Sequence, residues 1–446
     1  MNVNFAERAH NHNWKLDPIV RSLLDTDFYK FLMLQFIWKN FPTVTATSEV
    51  HNRTTRVRLA ERISSSALRE QLEHVRGLRL RRSELVWLTG NTFYGVKHIF
   101  EPAFLDWLEH GFRLSDYEIT EENGQLVLRF SGLWTEVTMW EVYSLAIVSE
   151  MKTRAALAEL SEIELDVLYA RAKTRLWNKI EKLRPLASLR LSDFGTRRRH
   201  SFLWQEYCVQ ALQRALNHGG VPDRFTGTSN TALAYKHDLE AIGTNAHELP
   251  MAMAAMASRG PISAKSDEDL RQSQYEVLRL WQQSYGGELL ITLPDTFGTT
   301  QFLAGAPDWV ARWTGERVDS KDPFLAGDEY IAWLVSRGQD PRAKRLIASD
   351  GLDASTIVEL HEYFNGRIRF SAGWGTLLTN DFRDCHPRGE DTFEPISLVC
   401  KLTSADGIPT VKLSDNPRKS TGPADAIERY RRVFGSPVLE EVPVLV

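Results

Sequence analysis

The 446-residue chain is 43% hydrophobic, enough to fill a sizeable core, and its 54 basic against 58 acidic residues leave a formal charge of −4. That balance argues against nucleic acid or an anionic membrane as the partner, so any anion site must be local. Three scattered cysteines, Cys208, Cys385 and Cys400, supply neither a CxxC spacing for zinc nor a disulfide framework, which predicts a reducing, cytoplasmic setting.

The opening "MNVNFAERAHNHNW" lacks an apolar signal core, and the longest greasy run, "FLMLQFIW", falls far short of the roughly 18 to 20 residues needed to span a bilayer. From Ser22 to Asn40, "SLLDTDFYKFLMLQFIWKN" is apolar on nearly every face and predicts a buried helix capped by Asp25 or Thr26. Up to about residue 145, strands ("TVTATSEVHN", "GQLVLRFSGLW") mix with helices ("SSALREQLEHV", "SELVWLT"), an α+β pattern. A long helix through "WTEVTMWEVYSLAIVSEMKTRAAL" leads onward without a linker.

Beyond Leu189 short strand-like runs alternate with amphipathic stretches. The strand ends read "LRLSDFGTRRR", "RFTGTSN", "AIGTNAH", "LLITLPDT", "ERVDS", "RLIASD" and "IRFSAGWGT". Seven βα-like units in a row predict a parallel sheet in a closed or nearly closed barrel. Loops at the carboxyl ends of such strands converge, so Arg197, Asn230, His247, Asp295, Asp319, Asp350 and Thr376 are expected around one pocket. "PISLVCKLT" and "TVKLSDNPRKS" read as further strands returning to the first domain. The expected division is an N-terminal α+β domain over 1–145, completed by 395–446, and an α/β barrel over 146–394 that carries the site.

Four local patterns suggest chemistry. In "DFGTRRRH" a strand runs into Gly195 and a turn; its arginines are either a solvated basic face or clamps for phosphate, with Phe194 offering a face for a flat ring. "SAGWGTLLTND" places Gly373 and Gly375 before Thr376, either a tight turn or a cup in which backbone and hydroxyl approach a phosphate. "RVDSKDP" offers Asp319 and Asp322 near Arg317, suited to ribose hydroxyls or a hydrated Mg²⁺, or to a helix cap. His247 in "GTNAHELP" belongs to no HExxH motif, and Asp295 is a candidate orienter of its imidazole. Neither a GxxxxGK[ST] nor a GxGxxG sequence is present.

Together "SLLDTDFYKFLM", "DFGTRRRHSF", "TGTSNTALA", "GTNAHELPMA", "RVDSKDP", "ASDGLD", "GWGTLLTND" and "VKLSDNPRK" occur in the order found in nicotinate phosphoribosyltransferases, from about residue 22 to 420. The chain resembles that family, which joins nicotinate to 5-phosphoribosyl-1-pyrophosphate with coupled ATP hydrolysis through a phosphorylated histidine and feeds NAD synthesis. The resemblance implies an α/β fold: an incomplete parallel β/α barrel of the type II phosphoribosyltransferase kind beside a smaller α+β open-faced sandwich. It implies that His247 is phosphorylated and that Tyr29, Thr244 and Arg317 contact nicotinate, with Phe194 the second face of a ring clamp. It further implies that Thr376 contacts the sugar-phosphate donor; Arg197, Arg199, Ser349, Asp350, Gly373 and Gly375 are expected to bind substrate with it, mainly the donor's phosphates, and Asp319 and Asp322 to serve the ribose or Mg²⁺. A homodimer in which Tyr29 completes the neighbour's site is the expected assembly. Lys321 stands where the family has a glycine, a departure expected either to strain the backbone or to add charge near pyrophosphate. Nicotinamide or quinolinate phosphoribosyl transfer, and a silent sugar-phosphate-binding module, are the competing readings.

Overall fold

The computed structural model describes residues 16–217 and 224–435; residues 1–15, 218–223 and 436–446, including the N-terminal stretch and the end of the 395–446 segment read above, lie outside it. The described residues form two main sheets. The first is antiparallel and five-stranded, built from β1 (Thr45–Asn52), β4 (Asp116–Glu122), β5 (Gln125–Leu133), β12 (Leu398–Ala405) and β13 (Ile408–Pro409) in the order β13-β12-β1-β5-β4. A small hairpin of β2 (Thr92–Phe93) and β3 (Val96–Lys97) stands apart. "PISLVCKLT" does return, as β12 against β1, with Asn52 opposite Leu398 and Ala46 opposite Ala405.

Strand β5 shows how the first sheet finds its orientation. Leu126, Leu128 and Phe130 alternate with Val127 and Arg129, and only the first three are buried, as a period of two requires. Phe130 stacks on Trp140 at 4.7 Å, fastening the sheet to the long helix Trp140–Leu157. That helix and Tyr29–Asn40 are apolar on most faces and correspondingly buried, as their sequences predict.

The second sheet is parallel, with β6 (Leu191–Asp193), β7 (Phe225–Thr228), β8 (Ile291–Thr292), β9 (Gly315–Val318), β10 (Arg345–Ala348) and β11 (Arg369–Trp374) in the order β7-β6-β11-β10-β9-β8. Helices such as Phe202–Leu216, Pro323–Ser336 and Ala354–Phe364 connect its strands. Six strands form where seven were expected: "AIGTNAH" contributes only a single bridge from Ala241 to Thr228. Strands β7 and β8 are therefore both edges, and among the described residues the barrel stays open between them.

Two further expectations change. The helix expected from Ser22 begins at Tyr29, because residues before it are tied to the end of β7: Asp27 bridges Asn230, and the Phe28 N–H donates to the Ser229 carbonyl. "TVKLSDNPRKS" is a compact loop instead of a strand, since Asn416 caps the turn Pro417–Lys419 and Asp415 accepts from Thr299. Among the described residues no helix is long and apolar enough to cross a membrane.

Candidate active site

A cavity of about 660 Å³ lies at the carboxyl ends of β6, β9, β10 and β11 and is roofed by β1, β12 and the 412–419 loop. Tyr29, Phe194, Arg197, Thr244, His247 and Arg317 line it, as do Asp319, Ser349, Asp350, Gly373, Gly375 and Thr376. The Tyr29 ring lines the cavity of its own chain. Arg199, Asp295 and Asp322 do not line the cavity.

The arginine triplet explains the first of these. Asp193 accepts from the Gly195 N–H at 2.8 Å and turns the chain into a short 3₁₀ segment, Thr196–Arg198. With three residues per turn, successive side chains point roughly 120° apart, so three adjacent guanidinium groups separate. Arg197 remains 45% open, facing the cavity, 3.0 Å from Glu141 and 3.7 Å from Asp27. Arg198 lines the cavity while its Nε donates to the Leu398 carbonyl. Arg199 is fully buried and clamps Asp25 with two bonds of 2.6 and 2.8 Å. Asn230, also expected at the pocket, is buried against Asp25 and caps the helix Thr231–His237.

Both aromatic walls rest on glycines. A Cβ on Gly373 would lie 2.3 Å from the Phe194 ring, and one on Gly243 would lie 2.8 Å from the Tyr29 amide nitrogen. The Tyr29 hydroxyl donates to Glu141, which also receives Lys30 at 2.6 Å; together with Arg197, these cations hold the buried Glu141 carboxyl down at about 2 against the opposing effect of burial.

His247 precedes the helix Glu248–Ala257 and is 13% exposed. Its Nδ1 meets Thr296 Oγ1 at 2.9 Å, and its Nε2 lies 2.9 Å from both Asp319 Oδ2 and Lys412 Nζ. Asp295 does not orient the ring directly; it lies 3.7 Å from Nε2, accepts from Ser320 and sits 3.4 Å from Lys412. Burial first, and Lys412 second, push the imidazole pKa down to about 4, so the ring is neutral at physiological pH. Asp319 is held well below the usual carboxylate range by His247, Lys412 and Arg317, which outweigh its burial.

The side chains of His247, Asp295 and Asp319 are near enough to one another to hold a metal ion, but the Lys412 ammonium already stands among them. This cluster therefore does not fit a resident Mg²⁺. Asp319 and Asp350, 31% and 35% open, fit better the habit of Mg²⁺ to arrive on substrate phosphates and take one or two carboxylates. Asp322 has no such role here: its carboxylate caps the helix Pro323–Ser336 through the Phe324 and Leu325 amides. Lys321 is likewise turned away, bonded to Glu329 at 2.5 Å and Thr300 at 3.2 Å, and its φ is not left-handed.

The roof carries groups that the strand-end pattern could not reveal. Arg53 at the end of β1, Lys401 on β12, and Lys412 and Lys419 from the returning loop join Arg198 around Asp319 and Asp350. Lys419 bonds Asp350 at 2.5 Å and the Asp319 carbonyl at 3.0 Å. Burial first, and then the neighbouring Lys412 and Arg53, drive the Lys401 pKa well down despite Asp319 and Glu141. The string "VKLSDNPRK" contained two of these lysines without showing where they point.

An open parallel barrel whose ring-sized aromatic walls adjoin a surplus of cations is the architecture of a phosphoribosyl-transferring enzyme. Family comparison agrees: residues 24–149 match the nicotinate phosphoribosyltransferase (NAPRTase) N-terminal domain, and residues 189–438 match the nicotinate phosphoribosyltransferase (NAPRTase) family. The crystal structure of nicotinate phosphoribosyltransferase from Vibrio cholerae is similar with a TM-score of 0.81 at 30% identity, over 94% of this chain and 95% of that one. The corresponding enzyme from Porphyromonas gingivalis gives 0.78 at 28% identity, over 94% and 100%. This chain belongs to the nicotinate phosphoribosyltransferase family.

Proposed function

We propose that the protein transfers the 5-phosphoribosyl group to nicotinate in NAD salvage and couples this to ATP hydrolysis through phosphorylation of His247. The observation that carries the reading is a neutral, buried imidazole opening onto the cavity that also holds the aromatic walls and the cationic roof. The phosphoryl-accepting tautomer carries its proton on Nδ1, donated to Thr296, and its Nε2 lone pair accepts from Lys412; the other tautomer donates Nε2–H to Asp319 instead. Attack of Nε2 on the γ-phosphorus of ATP forms the N–P bond, breaks the P–O bond to ADP, and leaves the phosphoryl charge beside Lys412.

In the transfer step the pyridine ring lies between Tyr29 and Phe194, with its carboxylate toward Arg317 and Thr244. The ring nitrogen attacks C1 of the donor as the C1–O bond to pyrophosphate breaks. Asp319 stabilises the cationic ribosyl centre, and Arg53, Arg198, Lys401 and Lys419 receive the leaving pyrophosphate. Asp319 and Asp350 would hold a Mg²⁺ arriving on the donor, which would supply further charge neutralisation. The Gly373–Thr376 turn and Ser349 take the 5-phosphate side. The expected assembly is a homodimer, in which each chain's Tyr29 faces the cavity of that chain. Three free thiols, two of them buried, fit a cytoplasmic location.

The decisive assay supplies nicotinate, 5-phosphoribosyl-1-pyrophosphate, ATP and Mg²⁺ and detects nicotinate mononucleotide. Product from nicotinamide or quinolinate in place of nicotinate, or donor binding without product, rejects the reading. A second expectation concerns pH. Removing Lys412 deletes a cation that disfavours imidazolium, so Lys412→Met raises the His247 pKa from about 4 toward its ordinary 6.5. The acid limb of the ATP-hydrolysis rate therefore moves to higher pH; a limb that stays in place contradicts His247 as the nucleophile.

A further inference from the structure

The cavity has a second end. Side chains alternate along a strand, and stepping back from Phe194, Ser349 and Gly373 along the inward faces of β6, β10 and β11 leads to Ser192, Ile347 and Ser371, then to Arg190, Arg345 and Arg369. Arg190, Ser192, Arg345, Ile347 and Ser371 line the same cavity as His247. From Ser349 to Arg345 is about 13 Å at the usual rise of a strand. The middle of this passage is polar on two sides, where Ser192 Oγ meets Thr226 Oγ1 at 2.6 Å and Ser371 stands on β11, while β10 contributes the branched Ile347.

The amino end is electrostatically unbalanced. Strands β6, β11 and β10 are neighbours, with Arg369 directly opposite Arg345. Glu288 answers two of the guanidinium groups, at 2.9 Å from Arg345 and 3.8 Å from Arg369. Arg190 is exposed and has no carboxylate within ion-pair distance among the described residues. The other acid at this end, Glu240, accepts from the Tyr94 amide at 2.9 Å. Burial lowers the Arg345 pKa, and the proximity of Arg369 and Arg190 adds to the effect despite Glu288.

We infer that the amino end of the barrel is a second entrance, at which Arg190, Arg345 and Arg369 collect a small aromatic carboxylate and deliver it through the hydroxyl-lined lumen to the ring pocket. This rests on nicotinate being the acceptor. It gives the flat acid a route of its own while donor and ATP occupy the mouth beneath the cationic roof.

The test follows nicotinate binding to the full chain by stopped-flow intrinsic fluorescence, using wild type, R190Q/R345Q and R190K/R345K. Electrostatic steering raises association rates by roughly 10 to 10³ and fades with salt. The glutamine variant is therefore expected to associate on the order of tenfold more slowly at low salt, with little remaining salt dependence and an unaltered dissociation rate. The lysine variant is expected to stay near wild type, and the donor's KM serves as the check on folding. An association rate unchanged in R190Q/R345Q, or equally slow in both variants, overturns the second entrance alone. Failure of the wild-type chain to bind nicotinate overturns this inference together with the proposed function.

Discussion

Replacing His247 with alanine is expected to abolish ATP hydrolysis that depends on nicotinate and donor, and to lower kcat/KM for the donor by roughly 10²–10³. The first effect follows because, among the described residues, no other imidazole lines the cavity beside Lys412. The second follows from what the phosphoryl group contributes. A phosphorylated side chain creates about one to three charge-assisted hydrogen bonds, each worth roughly 1.5–3 kcal/mol. Losing about two of them, at the lower end of that range, costs about 3–4 kcal/mol, or two to three powers of ten. Coupled product and phosphate assays on the same samples separate the two quantities, and phosphate mapping on His247 after incubation with ATP checks the intermediate. Survival of stimulated ATP turnover in the alanine variant eliminates the phosphohistidine.

Arg199→Leu is expected to cost about 3–5 kcal/mol of stability, the usual consequence of deleting one partner of a buried ion pair. Asp25, 2% exposed, would keep Asn230 but lose both guanidinium bonds, and Glu150, 3.7 Å from the Arg199 Nε, would lose a second cation. The urea midpoint should fall accordingly, and Asp25→Leu in the same chain should restore part of it, because an uncompensated carboxylate accounts for much of the penalty. Arg197→Ala, by contrast, should weaken substrate binding more than stability, since that guanidinium opens onto the cavity. If Arg199→Leu left the midpoint in place and removed activity, the two arginines would have to exchange roles.

The triplet also shows where sequence reasoning ran out. "DFGTRRRH" located the turn, the aromatic face and the barrel end, but which two arginines face inward depends on the pitch of one 3₁₀ turn, and that pitch is set by Asp193 and by contacts some 170 residues away in sequence, such as Asp25. Asp322 was misplaced for a similar reason: an acidic residue before proline suits a metal and a helix cap equally well, and its two amide contacts decide for the cap. "AIGTNAH" has strand-like alternation, yet its backbone reaches β7 at one bridge only, where Gly227 lets the Glu240 carbonyl approach to 2.1 Å of a would-be Cβ. The roof was hidden most thoroughly. Arg53, Lys401 and Glu141 carry no strand-end signature, because they come from a different sheet and from a helix side that only the tertiary fold turns toward the barrel. By contrast, residues in strings that end barrel strands, such as Arg317, Asp319, Gly373 and Thr376, were legible because the topology itself brings those ends together.

The pairing of β12 with β1 has a consequence for biosynthesis. Asn52 cannot meet Leu398 until nearly 350 further residues have been added, which at about 5–20 residues per second takes roughly 20–70 s. Throughout that interval one edge of β1 emerges from the ribosome without its neighbour, and a bare edge is a template for pairing with other chains. The strand that will roof the cavity is thus among the first made and the last completed, so the nascent chain passes through its most aggregation-exposed stage after the barrel strands already exist.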